Sequence, residues 1–192
     1  ADGALSLMAL HADAHLATGV APGPGSDILT GRYACYDVYR CADGRWLAVG
    51  AIEPHFFANL CRALGLAEWI PHQLDDARQQ ELRAALAAAF ATRPRDAWAA
   101  ELGPGDCCVA PVLSVAEATR DPGFAARGAW AEAEHPVHGR VRQVGAVLAG
   151  QLPPDGPARA RDAAETDTEA LLREAGLAPA AVETLRRQGV VA

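Results

Sequence analysis

Residues 36–50, YDVYRCADGRWLAVG, hold two runs rich in Tyr, Val and Trp on either side of Asp43-Gly44. An Asp-Gly pair between β-forming runs is the strongest short signal of a hairpin, because glycine takes the positive φ that such turns demand. The second run leads directly into VGAIEPHF, residues 49–56, where Pro54 follows Glu53. Proline suits the first helical position, since the N–H it lacks would have no helical partner there. A helix over 54–64 is therefore predicted, closed by Gly65. A hairpin followed at once by a helix places this part of the chain in the α+β class.

Outward from this centre, residues 4–18 (ALSLMALHADAHLAT) are apolar at Leu5, Met8, Ala12 and Leu16 with a helical period, and Leu7 and Leu10 widen the apolar surface. A helix apolar over so much of its surface is expected to be buried between other elements. A Gly/Pro-rich loop follows at 19–25. Downstream, a helix is predicted over about 75–91 with Leu82, Leu86 and Phe90 on one face, then a short one over 94–102 carrying Trp98. CCVAPVLS (107–114) is strand-like, and Ser114 with Glu117 makes a capping box. AWAEAEH (129–135) and HPVHGRVRQVG (135–145) read as two strands. GQLPPDGPARA (150–160) reads as a proline-rich linker. TEALLREAG and APAAVETLRRQG give two last helices, each closed by glycine. No internal repeat is found. The whole reads as a small α+β domain with an antiparallel sheet, flanked by helices that need another body to pack on.

At 192 residues the chain can bury a real core. A net charge of −7 argues against nucleic acid or an anionic membrane as partner, since both reward basic patches. A local arginine cluster could still receive an anionic substrate. Five cysteines form no C-x-x-C pair, and no signal-like segment is present, so reduced thiols and a cytoplasmic location are expected. No apolar run approaches the roughly 20 residues of a membrane span. The chain opens Ala-Asp-Gly without an initiator methionine and enters a helical pattern at once, as expected of a chain cut from a longer one.

Motifs of chemistry are few. His11 and His15 lie four apart, the spacing that lets two imidazoles face one metal. No third ligand is near in sequence, so no metal site is expected. Cys107 and Cys108 are adjacent, so in a strand they would face opposite ways, and both are read as core thiols. Arg159, Arg161, Arg186 and Arg187 are expected on solvated faces. Dinucleotide, P-loop, nucleophile-elbow and zinc spacings are absent. Glu53 stands out as an acid at a helix start, where the helix dipole favours it by about 0.3–1 kcal/mol. On the residues alone it is ordinary there, and the reading stops at an α+β domain with one such acid.

Several segments together resemble one family. LTGRYACYDVYRCADGRWLAVGAIEPHFFANLCRALGL, DCCVAPVLSVAEATRDPGFAARG, HPVHGRVRQVG and LLREAGLAPAAVETLRRQGVV are similar, in order, to the α-methylacyl-CoA racemase branch of the class III CoA-transferase family. The matches span most of 26–192, and ADGALSLMALH resembles the helix after the family's active-site region. The resemblance implies an interlocked homodimer in which each chain has a large α/β domain holding CoA and a small α+β domain. Residues 1–25 would then be a helix and linker entering from the large domain. Residues 26–150 would be the small domain, and 151–192 a linker and helices returning to the large one. This chain would be only the C-terminal part. The absent half would carry the CoA-binding residues and the His and Asp that move the proton.

The chemistry so implied is removal of the α-proton of a 2-methylacyl-CoA and its return to either face. Inversion needs a basic and an acidic group on opposite faces, with the enolate-like intermediate stabilised. By the resemblance, Glu53 is the supporting carboxylate, supplied to the partner's catalytic histidine. Leu29, Tyr36 and Ile52 match positions lining the acyl end of the pocket, although Tyr36 serves equally as hairpin packing. No cofactor is implied, the CoA thioester being the substrate. The implied partners are acyl-CoA and a second copy or the N-terminal half, with neither nucleic acid nor membrane. The alternatives are a CoA-transferase working through an acyl-aspartyl anhydride, and a non-catalytic dimerisation remnant. Cys35, Cys108 and His138 depart from the family's common pattern.

Overall fold

In the computed structural model, which describes residues 1–146, 156–161 and 166–191, β1 (Tyr36–Arg40) and β2 (Trp46–Gly50) form the expected hairpin. They pair antiparallel from Tyr36 opposite Gly50 to Arg40 opposite Trp46. Gly44 takes φ +78° in the turn. β3 (Val109–Pro111) pairs antiparallel with β2, giving the order β1-β2-β3. Side chains alternate between the faces of a strand. Tyr39, Leu47 and Val49 point into the core, while Val38 and Trp46 stand exposed on the other face.

Three helices build the core against the inner face. α3 (Pro54–Ala63) contributes Phe57, Leu60 and Cys61; α4 (Gln79–Phe90) contributes Leu82, Leu86 and Phe90; α5 (Arg95–Leu102) contributes Trp98 and Leu102. Tyr39 and Phe90 rings lie 5.2 Å apart, and Trp98 meets Phe90 edge-on at 5.8 Å. The polar tips are satisfied: Tyr39 Oη donates to the Ala34 carbonyl (2.7 Å) and Trp98 Nε1 to that of Phe90 (3.0 Å). Such rings bury much area only when their polar atoms find partners.

Four expectations need correction. The single helix over 4–18 is two, α1 (Asp2–Leu7) and α2 (Ala9–Thr18), broken at Met8. Neither contains a buried residue, and Leu7 is 91% exposed, because no other described residue covers them. The helix over 75–91 begins as a 3-10 turn, Asp76–Arg78, capped by Asp75, before α4 starts. A further 3-10 stretch, Ala67–His72, precedes it. The strand over 107–114 shrinks to β3, since Asp106 (φ +54°) and Cys108 (φ +52°) are left-handed. Cys107 is buried but Cys108 is exposed, so only one of the pair is a core thiol.

The contacts divide the chain into Ala1–Leu113 and Ser114–Ala192. In the second unit, Ser114 and Glu117 form the capping box of α6 (Val115–Ala118), and Asp121 caps α7 (Pro122–Ala126) through Gly123 N and Phe124 N. β4 (Trp130–His135) and β5 (Gly139–Val144) pair antiparallel. Part of the expected linker is the fourth correction: Ala158–Arg159 is a strand, β6, parallel to β4. Pro157, without an N–H, fits just ahead of that short edge strand. The rest of that stretch, up to residue 155, lies outside the described residues. α8 (Thr168–Glu174) and α9 (Pro179–Arg187) follow, tied by Arg186 to Glu169 at 3.1 Å. The mixture of helices and small, mainly antiparallel sheets is the α+β class read from the sequence. Among the described residues no helix is long and apolar enough to cross a membrane.

Candidate functional site

The outer face of the β1-β2-β3 sheet carries an open hollow of about 620 Å³. Its middle is kept low by small residues, Ala48, Gly50 and Ala110, and Leu29 and Tyr36 are among the larger side chains around it. The lining is mostly apolar because this outward face of the sheet is built from Tyr36, Val38, Ala48 and Gly50. A slot of this kind suits a hydrocarbon chain, and it offers little to a charged group.

Leu29 reaches the hollow on a 3-10 turn, Ile28–Thr30. Asp27 makes that turn by accepting from Leu29 N (3.0 Å), while Thr30 Oγ1 accepts from Asp27 N (2.9 Å). Arg83, on α4, straps the turn to the sheet. Its Nη2 donates to the carbonyls of Gly31 (2.9 Å) and Arg32 (3.3 Å), and its Nη1 pairs with Asp37 on β1. Asp37 shares the inward parity of Tyr39, so an acid at that position had to find a cation.

Beyond Gly50 the chain leaves the sheet. Ile52 is half-buried and Glu53 exposed, and neither is among the residues lining the hollow. Glu53 lies only three residues past Gly50, within about 11 Å by the reach of the chain. It is the N-cap of α3, with φ −68° and ψ 137°, and Pro54 is N1 as the sequence suggests. An N-cap side chain ordinarily accepts from the exposed first-turn amides. The Glu53 side chain makes no capping bond, and no described residue hydrogen-bonds or pairs with it. Its backbone is thus fixed while the carboxylate remains uncommitted.

Two buried glutamines, which no local motif announces, organise that backbone. Gln73 Nε2 donates to the carbonyls of Ala51 (3.1 Å) and Ile52 (2.7 Å). Gln79 Nε2 donates to the carbonyls of His72, Gln73 and Asp75, and its Oε1 accepts from Ala34 N at 2.9 Å. Each is 8% exposed. A buried carboxamide that donates to backbone carbonyls fixes the segments that it joins.

The four buried thiols point away from nucleophilic chemistry. Burial pushes the Cys61 thiol up to about 12, and the Cys35, Cys41 and Cys107 thiols in the same direction. A thiol held protonated is a poor nucleophile. His15 Nδ1 lies 3.1 Å from the Val20 carbonyl, a bond that closes the end of α2. Among the described residues, no three His, Cys, Asp or Glu side chains are gathered as metal ligands, around His11 and His15 or elsewhere.

Comparison with known proteins gives this geometry a context. Residues 1–164 match the sequence profile of CoA-transferase family III. Over 95 residues the chain is 41% identical to an alpha-methylacyl-CoA racemase of Mus musculus, a match covering 49% of this chain and 25% of the racemase. Over 111 residues it is 34% identical to the Homo sapiens protein of the same name, covering 57% of this chain and 29% of that one. Both matches therefore span less than a third of those relatives' length. The fold resembles that of Rv3272 from M. tuberculosis in its orthorhombic crystal form, with a TM-score of 0.61 at 18% identity, covering 83% of this chain and 43% of that one.

Proposed function

The chain belongs to CoA-transferase family III, and on that premise we propose that it forms part of an α-methylacyl-CoA racemase-like enzyme, to which it contributes Glu53 and an apolar acyl hollow. The observation that carries this reading is the Glu53 carboxylate, exposed at the start of α3 and bonded to no described residue. The helix dipole favours an acid there but claims none of its hydrogen-bonding capacity. One left open is available to an imidazole brought by another part of the assembly.

The reaction sets the requirement. The thioester acidifies the α-proton, but a base must take it from one face and an acid return it to the other while enolate charge is stabilised. A carboxylate bonded to the far nitrogen of a histidine orients the ring and stabilises its protonated form. Glu53 takes that supporting role, and the proton-carrying His and Asp belong to sequence outside this chain. The hollow between Leu29 and Tyr36 receives the branched acyl tail, and Ile52 shields the approach to Glu53. The working unit is a homodimer of the complete protein, and this chain alone, without that His and Asp, is inactive.

The test is α-proton exchange of a 2-methylacyl-CoA in deuterated water, catalysed by the complete protein and followed by NMR. Exchange is expected, and Glu53→Gln is expected to slow it about tenfold or more, a supporting group mattering less than the acid–base groups themselves, which typically contribute 10²–10⁴. An unchanged rate in that variant would return Glu53 to a helix-start acid. Transfer of CoA to a free acid without exchange would make the enzyme a transferase. A protein that dimerises but performs neither reaction would be a non-catalytic module.

A further inference from the structure

We propose that Gln73 is a positioning residue that sets the direction of Glu53, an inference that rests on the racemase-like reading above. Glu53 makes no side-chain bond of its own, so what the protein fixes is its Cα–Cβ bond, set by the backbone on either side, from which the carboxylate reaches out. Downstream, Pro54 confines the preceding residue to extended backbone, as the ψ of 137° shows. Upstream, both hydrogens of one carboxamide are used on two consecutive carbonyls, Ala51 at 3.1 Å and Ile52 at 2.7 Å. The Ile52 carbonyl belongs to the peptide that carries the Glu53 nitrogen. Holding that plane, together with the bond from Ile52 N to the Gly50 carbonyl (2.9 Å), fixes where φ of Glu53 begins.

Gln73 is itself held. It is 92% buried, and its own carbonyl accepts from Gln79 Nε2 at 3.2 Å. Gln79 in turn accepts from Ala34 N, two residues before Tyr36 at the hollow. Two buried amides therefore connect the segment entering the hollow with the segment presenting the carboxylate. A supporting carboxylate misplaced by about 1 Å can cost up to 10²-fold in rate. Gln73 touches neither substrate nor reacting atoms, so its effect has to pass through Glu53.

That route is testable by coupling. In the complete protein, Gln73→Met keeps the side-chain length and removes both donors. It is expected to lower kcat of exchange by about tenfold with KM changed by less than about twofold, as for an interaction felt in the transition state. In the Glu53→Gln background the same change should lower kcat no further, because residues acting through one another are not additive. Gln73→Glu gives the second readout, a pH profile, taken on protein shown to be folded by circular dichroism. An ionised carboxylate would face two carbonyls and repel them, whereas its protonated form donates one bond. Its kcat should therefore recover relative to wild type as pH falls, while Gln73→Met tracks wild type at every pH. An equal kcat loss in both Glu53 backgrounds, an unchanged kcat, or a Gln73→Glu profile parallel to wild type would overturn the proposal and leave the racemase-like reading standing. Absence of exchange in the wild-type protein would overturn both.

Discussion

Tyr36 stands directly opposite Gly50 in the β1–β2 ladder, and its ring passes 3.9 Å from the point a Cβ on Gly50 would occupy. The Cys108 sulfur and carbonyl lie 3.7 Å from the same point. The hollow exists partly because Gly50 has no side chain. Gly50 does not adopt a positive φ, so other residues fit its backbone. Gly50→Ala is expected to change stability by less than about 0.5 kcal/mol. Gly50→Leu should fill the space beside Tyr36 and raise KM for a 2-methylacyl-CoA about tenfold in the complete protein, the scale of a few misplaced methylenes. Steady-state kinetics with equilibrium unfolding separates the two effects, and an unchanged KM would remove the acyl tail from this hollow.

Arg83 makes the other wall depend on a distant helix. Arg83→Met removes the donors to the Gly31 and Arg32 carbonyls and leaves Asp37 without its cation. A loss of about 1–3 kcal/mol is expected, the range for charge-assisted bonds. The structural signature is local. Amide exchange of Leu29 and Arg32, whose N–H groups bond Asp27, should quicken more than that of core residues in α4. Uniform quickening throughout would mean global destabilisation instead.

The elements legible in the sequence are those whose backbone groups find partners within a few residues. Asp43-Gly44 turns the hairpin, Pro54 opens α3, and Ser114 with Glu117 caps α6, each within a four-residue window. What escaped depends on distance. Gln73 bonds Ala51 across 22 residues and Gln79 bonds Ala34 across 45, so no local pattern contains either pair. The left-handed Cys108 and the β6 edge strand answer to neighbours brought by the fold. Periodicity gave the apolar faces of α1 and α2 but cannot say what covers them. Glu53 was visible as an acid at a helix start, while a role for it entered only through resemblance.

The thiols predict an alkaline limit. All 17 basic side chains are arginine, so no lysine titrates between pH 9 and 12. Burial holds Cys61 protonated up to about 12, against an ordinary 9.0, and shifts Cys35, Cys41 and Cys107 the same way. Above about pH 9 the unfolded chain releases protons that the folded chain keeps. The unfolded state then binds fewer protons, so stability falls as pH rises from about 9 towards 12, and is fully present below that window. Cys61→Ala removes one of these protons at the cost of a small cavity. Its deficit against wild type, measured in urea, should shrink as pH rises from 8 to 11. A constant deficit would show that the thiol does not couple to folding.

Arg95 ties the hairpin turn, α5 and the strand end together from a buried position. Its side chain, 4% exposed, donates from Nη1 to the Val112 carbonyl (2.7 Å) and from Nε to Asp96 (2.8 Å). Its backbone N donates to Asp43 in the hairpin turn (3.2 Å). Arg95→Met preserves most of the buried stem, so the loss isolates the guanidinium. About 2 kcal/mol is expected, in the range for hydrogen bonds to charged groups. Arg95→Lys should recover less than half of it, because one ammonium cannot reproduce a planar fork that serves two directions. Urea unfolding reads both variants. The midpoint should drop while the slope stays that of wild type, since the surface exposed on unfolding is unchanged. A lysine variant as stable as wild type would show that charge alone, without the fork, holds these segments together.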